Sequence, residues 1–383
     1  MLTTVFDFAS SALSYLLPFV VVLSIVVFVH EFGHFWVARR CGVRVMTFSI
    51  GFGQEIFGWN DKHGMRWKVA WLPLGGYVKM FGDSDPTSAL PEEGAVDMTA
   101  DEKKVAFFSQ SLAKRMAIVF AGPASNYLFA IVVMAGLFLV NGQPYTAPLV
   151  DKVVPGSVAE QTGFLPGDRV LTIDDHAIDS FEDIKRIVSL NAGTAIDVTL
   201  ERGEARQTIH VTPEVVQSTD RFGGEHHVGR LGISSTMLEY RKLSPVAAIQ
   251  ESVIQAWELS ASTLRGVGQM IMGTRGTEEL GGPLRIAEMS GKVAQEDMGA
   301  LVFFLVLISI NLGLINLFPV PLLDGGHLAF YIIEFLRGRP MGDKAQEFAF
   351  RVGALMVASL MVFATWQDLV HLRVISFLRN LFS

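Results

Sequence analysis

Four apolar runs, at about 11–38, 114–140, 299–321 and 349–372, set the terms for any fold of this chain. Each reaches the roughly 20 residues that carry a helix across the hydrocarbon core of a bilayer. Lipid offers no partner for backbone N–H and C=O groups, so such runs cross as helices. Only 18% of the 383 residues are charged and 50% are hydrophobic, against about 25% charged in soluble domains. No Lys or Arg precedes the first run, and it is too long for the h-region of a signal peptide, so it reads as a transmembrane helix.

Residues 146–236 interrupt this pattern with the mixed polarity of a soluble domain. The expected organisation is a first membrane part (1–145), a soluble domain (146–236), an amphipathic or interfacial segment (237–298) and a second membrane part (299–383). Arg39, Arg40, Arg44, Lys62, Arg66, Lys68, Lys79, Lys103, Lys104, Lys114 and Arg115 all lie between the first and second runs. Short loops rich in Lys and Arg face the cytoplasm, which puts both termini and the 146–236 domain outside. A net charge of -7 excludes the basic surface that nucleic-acid binding needs. With one cysteine, Cys41, the chain has no intramolecular disulfide and no C-x-x-C site, so any metal falls to His and carboxylates.

Residues 43–83 mix β-branched and aromatic residues with glycines and read as short strands with turns at Asn60-Asp61 and Gly75-Gly76. Residues 84–103 read as a surface loop. Gly51-x-Gly53 lacks the third glycine of a dinucleotide fingerprint and reads as a turn, and His226-His227 as part of an exposed loop.

His30-Glu31-Phe32-Gly33-His34 has H-E-x-x-H spacing, which on a helix places two imidazoles one turn apart on one face with the glutamate beside them. Zinc accepts such ligands and lowers the pKa of a bound water to about 7, for which Glu31 would be the base. The motif directly follows SYLLPFVVVLSIVVFV, where ionisable groups cost several kcal/mol unless paired, metal-bound or wetted. Emergence at the cytoplasmic interface is the alternative; Phe35, Trp36 and Val37, which continue the apolar run, speak for the membrane.

A third ligand is expected from another ionisable residue in apolar sequence, and Asp324 in NLFPVPLLDGG (316–326) is such a residue. Pro319 and Pro321 break the helix there, and Asn316 offers hydrogen bonds to a substrate or an oxyanion. Asp324 equally suits the N-cap of the following segment.

Together HEFGH (30–34) and NLFPVPLLDGG (316–326) resemble the site-2 protease family of intramembrane zinc metalloproteases, in its RseP-like bacterial branch. GFG (51–53), PLGGYVKM (73–80), AGPASN (121–126) and GPLRIA (282–287) extend the similarity over almost the whole chain. The resemblance implies an α-helical multi-pass membrane protein of about four transmembrane helices, with a membrane-associated β-hairpin region at 43–83. It implies one Zn2+ per chain on His30, His34 and Asp324, with Glu31 catalytic. Pairing of substrate with the hairpin would extend a helical substrate, and Gly75 and Gly76 suit that approach. The implied substrate is a single-pass membrane protein, an anti-sigma factor or a signal-peptide remnant, cut after a first protease has acted, as in stress responses. The implied setting is the inner membrane with its lipid, the active site toward the cytoplasm.

PGSVAEQTGFLPGDRVLTIDD resembles a circularly permuted PDZ domain, the extracytoplasmic α/β domain of this fold class. Its carboxylate-binding loop would be Arg230, Leu231, Gly232 and Ile233, although a glycine-containing strand start reads equally well. The branch is known with two tandem PDZ domains, whereas this chain has room for one. A membrane-tethered PDZ adaptor without proteolytic activity and a membrane metal transporter are the competing classes; an adaptor has no need of Glu31, and a transporter leaves the PDZ-like domain without a role.

Overall fold

The computed structural model describes residues 2–62, 64–82, 98–219, 225–274, 276 and 281–371. The chain begins with α1 (Leu2–Arg40), β1 (Val45–Asn60), β2 (Arg66–Met80), α2 (Ala100–Val105) and α3 (Leu112–Asn141). A run of short elements follows: β3 (Gln143–Thr146), β4 (Lys152–Val153), α4 (Val158–Gln161), β5 (Arg169–Ile173), β6 (His176–Ala177), α5 (Phe181–Leu190) and β7 (Ile196–Arg202). It continues with β8 (Ala205–Val211), β9 (Glu214–Thr219), β10 (Glu225–Arg230), β11 (Ile233–Ser234) and β12 (Leu238–Arg241). The helices α6 (Pro245–Ile271), α7 (Pro283–Glu296), α8 (Met298–Asn316), α9 (Asp324–Arg337) and α10 (Asp343–His371) complete it. Two compact units result, Met1–Ala135 with Ile249–Ser383, and Gly136–Ala248.

In the first unit Ser14–Arg40, Leu112–Asn141, Met298–Asn316 and Lys344–Val370 are long and apolar enough to cross a membrane. α1 stops where Gly42 takes φ 85, with Val43 N–H donating to the Ala38 carbonyl (2.9 Å), a left-handed glycine cap. The third apolar run stays helical only to Asn316 rather than to 321, because Pro319 and Pro321 supply no N–H to continue α8.

The helices meet through small and hydroxylic residues, which let backbones approach where lipid removes the hydrophobic drive. A Cβ on Gly33 of α1 would stand 2.3 Å from the Ala121 carbonyl oxygen of α3. Ser125 Oγ of α3 donates to the Val29 carbonyl of α1 (2.7 Å), and Ser309 Oγ of α8 to the Asn126 carbonyl of α3 (3.0 Å). α9 is tied to α3 by Arg115, whose guanidinium makes two bonds to Glu334 (2.6 and 3.3 Å) and lies 4.9 Å from the Tyr331 ring centroid. Both partners are largely buried, so Arg115→Met is expected to lower stability by about 1–3 kcal/mol. Thermal unfolding of the full chain in detergent measures this.

β1 and β2 do more than form a hairpin. Residues 57–60 pair with 66–69 as a hairpin, and Asp61 holds the turn by accepting from Met65 N–H (3.0 Å). Residues 47–50 pair with 66–69, and 45–50 pair with 76–80, so the two bent strands make four rows in the order 57–60, 66–69, 45–50, 76–80. Rings follow that order: Trp59 stacks on Trp67 (5.8 Å), Trp67 lies tilted against Phe48 (4.7 Å), and Phe48 meets Phe28 and Phe35 of α1. Gly75-Gly76 therefore does not form the expected turn; it lies inside β2, where pairing passes from Phe52↔Leu72 to Ile50↔Gly76. Gly51 and Gly53 likewise sit inside β1 at φ 89 and 87. Of the expected loop 84–103, residues 84–97 lie outside the described set, and 100–105 form α2 under a Thr99–Glu102 capping box.

The second unit contains a four-stranded sheet in the order β6-β5-β7-β8, with strand pairs β9–β10, β4–β11 and β3–β12. Its core includes Phe164, Val170, Ile173, Ile184, Val198 and Leu200. β3 and β12 pair from Thr146↔Leu238 to Gln143↔Arg241, which takes the unit beyond the limits 146–236 set by polarity. His226 and His227 lie in strand β10 rather than a loop, and their side chains are outside the described set. Asp168, with no exposed surface, accepts from Arg202 Nε and Nη2 (both 2.7 Å) and from Leu165 N–H (2.8 Å). Asp168→Ala leaves Leu165 N–H and Arg202 Nε without this acceptor, with Arg202 Nη2 still bonded to the Gly163 carbonyl (2.7 Å), and is expected to cost about 1–3 kcal/mol. Faster hydrogen exchange confined to residues 136–248 of the full chain is the readout.

Candidate active site

The histidines of HEFGH stand on α1 where small residues of α3 let the two helices close. His34 Nδ1 bonds the Ile118 carbonyl (2.9 Å), which leaves Nε2 pointing inward. Gly122 provides the room: a Cβ there would fall 2.2 Å from His34 Nε2 and 2.9 Å from His30 Cε1. From the other side, the chain leaves α8 at Asn316, turns through 317–323 and enters α9 at Asp324. Leu322 takes φ 99 just before it, a conformation side chains rarely adopt, and functional sites are where such strain is kept. Gly325 and Gly326 let this loop fold onto the start of α9; Cβ atoms there would lie 2.2 Å from the Phe318 and 2.4 Å from the Val320 carbonyl oxygens. Leu323 occupies the N-cap position, so Asp324 is not the cap.

His30 Nε2, His34 Nε2 and Asp324 Oδ2 form a triangle with sides of 3.2, 3.1 and 3.5 Å. Ligands at about 2.0–2.1 Å in a tetrahedron stand about 3.3–3.4 Å apart, so the three donors match zinc. Asp324 Oδ2 is buried with the two imidazole nitrogens at 3.1 and 3.5 Å beside it, a donor set that suits a cation between them. Among the described residues these three are the group of His, Cys, Asp and Glu close enough to hold an ion.

Around them lies a cavity of about 490 Å³. Glu31, buried beside the triad, opens onto it together with Gly75, Gly76 and Asn316. Asn316 Nδ2 is 3.3 Å from His30 Nε2. Pro319 and Pro321 are not among the described lining residues; they shape the loop instead. His327 lines the wall and packs on Phe350 (5.3 Å). Residues 76–80, the outer row of the sheet, also form this wall through Gly76, Tyr77, Val78 and Met80; among the described residues their strand partner is 45–50 on one side only.

Sequence reasoning gave no role to Gly122, Asn126 or Ile118. No spacing relates AGPASN (121–126) to HEFGH; the contact is tertiary.

In the second unit, Arg230, Leu231, Gly232 and Ile233 border a separate cavity of about 240 Å³, with Phe181, Ile184, Lys185 and Val188 of α5 opposite. Leu231 is buried, and Gly232 has φ 86.

The model of peptidase family M50 matches residues 18–360. A protein of Agrobacterium fabrum named a zinc metalloprotease is 42% identical over 362 residues, covering 94% of this chain and 96% of the relative. One from Rhizobium meliloti, also named a zinc metalloprotease, is 41% identical over 362 residues, covering 93% and 97%. The metalloprotease MmpA of Caulobacter vibrioides is 34% identical over 386 residues, covering 94% and 97%. An adaptor without proteolytic activity and a metal transporter are thereby set aside. Built on apolar helices and matched nearly end to end, the chain belongs to peptidase family M50, the site-2 proteases, and is a zinc metalloprotease of the membrane.

Proposed function

We propose that the chain hydrolyses a peptide bond within or near the transmembrane segment of a single-pass protein, with one zinc held by His30, His34 and Asp324. The observation that carries this reading is the donor triangle facing a cavity that also holds Glu31 and the outer row of the sheet. When bound, zinc supplies Lewis acidity, lowering the pKa of its water and polarising the scissile carbonyl. Glu31, buried beside the three donors, is placed to hold the proton of an attacking water and to pass it to the leaving amine. A transmembrane helix shields its peptide bonds, so cleavage needs local unwinding. The side of 76–80 that has no strand partner among the described residues can accept the unwound segment as an added strand, and Gly76 lets it pass close to Glu31. Asn316, within reach of the same space, donates to the carbonyl oxygen as negative charge develops on it. Pro319 and Pro321 act by setting the loop that delivers Asp324.

The substrate class we infer is a single-pass protein already shortened outside the membrane, such as an anti-sigma factor, or a signal-peptide remnant. The 136–248 unit, read as PDZ-like and extracytoplasmic, would receive the new chain end at Arg230–Ile233, which borders the 240 Å³ cavity and where Gly232 takes φ 86. The active site is assigned to the cytoplasmic side by the basic residues between the first two spans.

Glu31→Gln expressed in native membranes is expected to retain zinc, stop cleaving and co-purify with intact substrates. Trapped single-pass proteins that have lost their external domains support the second-cut role; a catch made only of full-length proteins counts against it, and undiminished cleavage by Glu31→Gln overturns the mechanism. Metal analysis should find one zinc per chain, absent from His30→Ala and Asp324→Ala.

A further inference from the structure

The two histidines differ in what stands behind them. His34 Nδ1 faces a main-chain carbonyl, that of Ile118, a fixed acceptor. His30 Nδ1 faces the side-chain amide of Asn126 at 3.4 Å. Asn126 has no exposed surface, sits on α3 one turn beyond Gly122, and has its backbone carbonyl held by Ser309 Oγ of α8 (3.0 Å). Its Oδ1 is buried with no hydrogen-bond partner. An unpartnered amide oxygen in an apolar interior costs about 1–3 kcal/mol, so this amide has a reason to be there beyond packing.

We propose that Asn126 is the positioning residue of His30, accepting the Nδ1 proton on its amide oxygen and so presenting Nε2 to zinc. The chemistry is that of any metal-bound imidazole: a ring that gives Nε2 to a metal carries its proton on Nδ1 and needs an acceptor there. Nδ2 and Oδ1 of an amide exchange places by a half-turn, which sets Oδ1 against the ring nitrogen that Nδ2 now faces. An amide can therefore serve His30 as donor or acceptor, whereas Ile118 serves His34 only as acceptor. The backbone tie to Ser309 fixes where that half-turn takes place. This inference rests on His30 being a zinc ligand.

Three variants of the full chain, purified in detergent, test it through the rate at which zinc is lost to a chelator and the visible spectrum of the cobalt-loaded protein. Asn126→Leu keeps the volume without the acceptor and is expected to bind zinc about 10–100-fold more weakly, the usual effect of losing a group that supports a metal ligand, with a changed cobalt spectrum. Asn126→Asp keeps the acceptor and is expected to hold zinc within a few-fold of the parent. Asn126→Ala repeats the loss should the leucine fail to pack. A leucine or alanine variant that retains zinc like the parent overturns the proposal, and so do leucine and aspartate variants that lose it equally. His30→Ala separates the two readings: if it too keeps zinc, the ligand assignment is at fault, and if it alone loses zinc, only the role of Asn126 fails.

Discussion

Gly122→Ala should deprive the chain of zinc and of proteolysis while its helices stay folded. Added at this position, a methyl group would stand 2.2 Å from His34 Nε2 and 2.4 Å from His34 Cε1. Real Cβ atoms do not come that close, and the imidazole cannot yield cheaply, because Nδ1 is fixed to the Ile118 carbonyl. Swinging the ring away breaks that bond and withdraws a ligand, so the loss of zinc affinity should exceed the about 10–100-fold typical of changes behind the ligands. Gly136, further along the same helix, has nothing within 4 Å of its would-be Cβ. Gly136→Ala should bind zinc normally and gain up to about 1 kcal/mol of helix stability. Metal content and circular dichroism of the two variants, side by side, check both halves; normal zinc in Gly122→Ala would refute the geometry.

Gly76→Ala is expected to do the reverse, keeping zinc while losing turnover. A Cβ at Gly76 would lie 2.7 Å from the Ser49 carbonyl oxygen, 2.9 Å from Val27 Cγ1 and 3.1 Å from Glu31 Cγ. None of these neighbours is a metal ligand, but relief must come from moving Glu31 or the outer row of the sheet. A displacement near 1 Å of a catalytic group costs about 10²-fold, so kcat should fall by that order at full zinc occupancy. Zinc loss in this variant, or unchanged kcat, would contradict the placement of β2 against Glu31.

How much of this was legible in the sequence follows from what stands out against apolar surroundings. His30, Glu31, His34 and Asp324 were conspicuous because ionisable groups in hydrophobic runs demand a reason, and α8 ends where two prolines make it end. Gly122 and Asn126 were not legible in the same way. Glycine and asparagine in an apolar helix carry no charge and no periodic signal, and only the crossing of α1 and α3 gives them a purpose. Gly75-Gly76 was misread as a turn because the sequence habit of glycine pairs is to turn; here the backbone is extended and glycine answers to crowding by Glu31 and Val27. The folding back of β1 and β2 into four rows was invisible, since alternation along one strand does not say which rows become neighbours. Likewise β3 and β12 are too short and too far apart in sequence for polarity to pair them.

That last pair has a consequence for the segment between its strands. Because Thr146 and Leu238 face each other across an antiparallel ladder, the two ends of the segment between them are held side by side. A short turn from Thr146 to Leu238 would close the ladder as a plain hairpin, so its pairing asks nothing of residues 147–237 beyond their two ends.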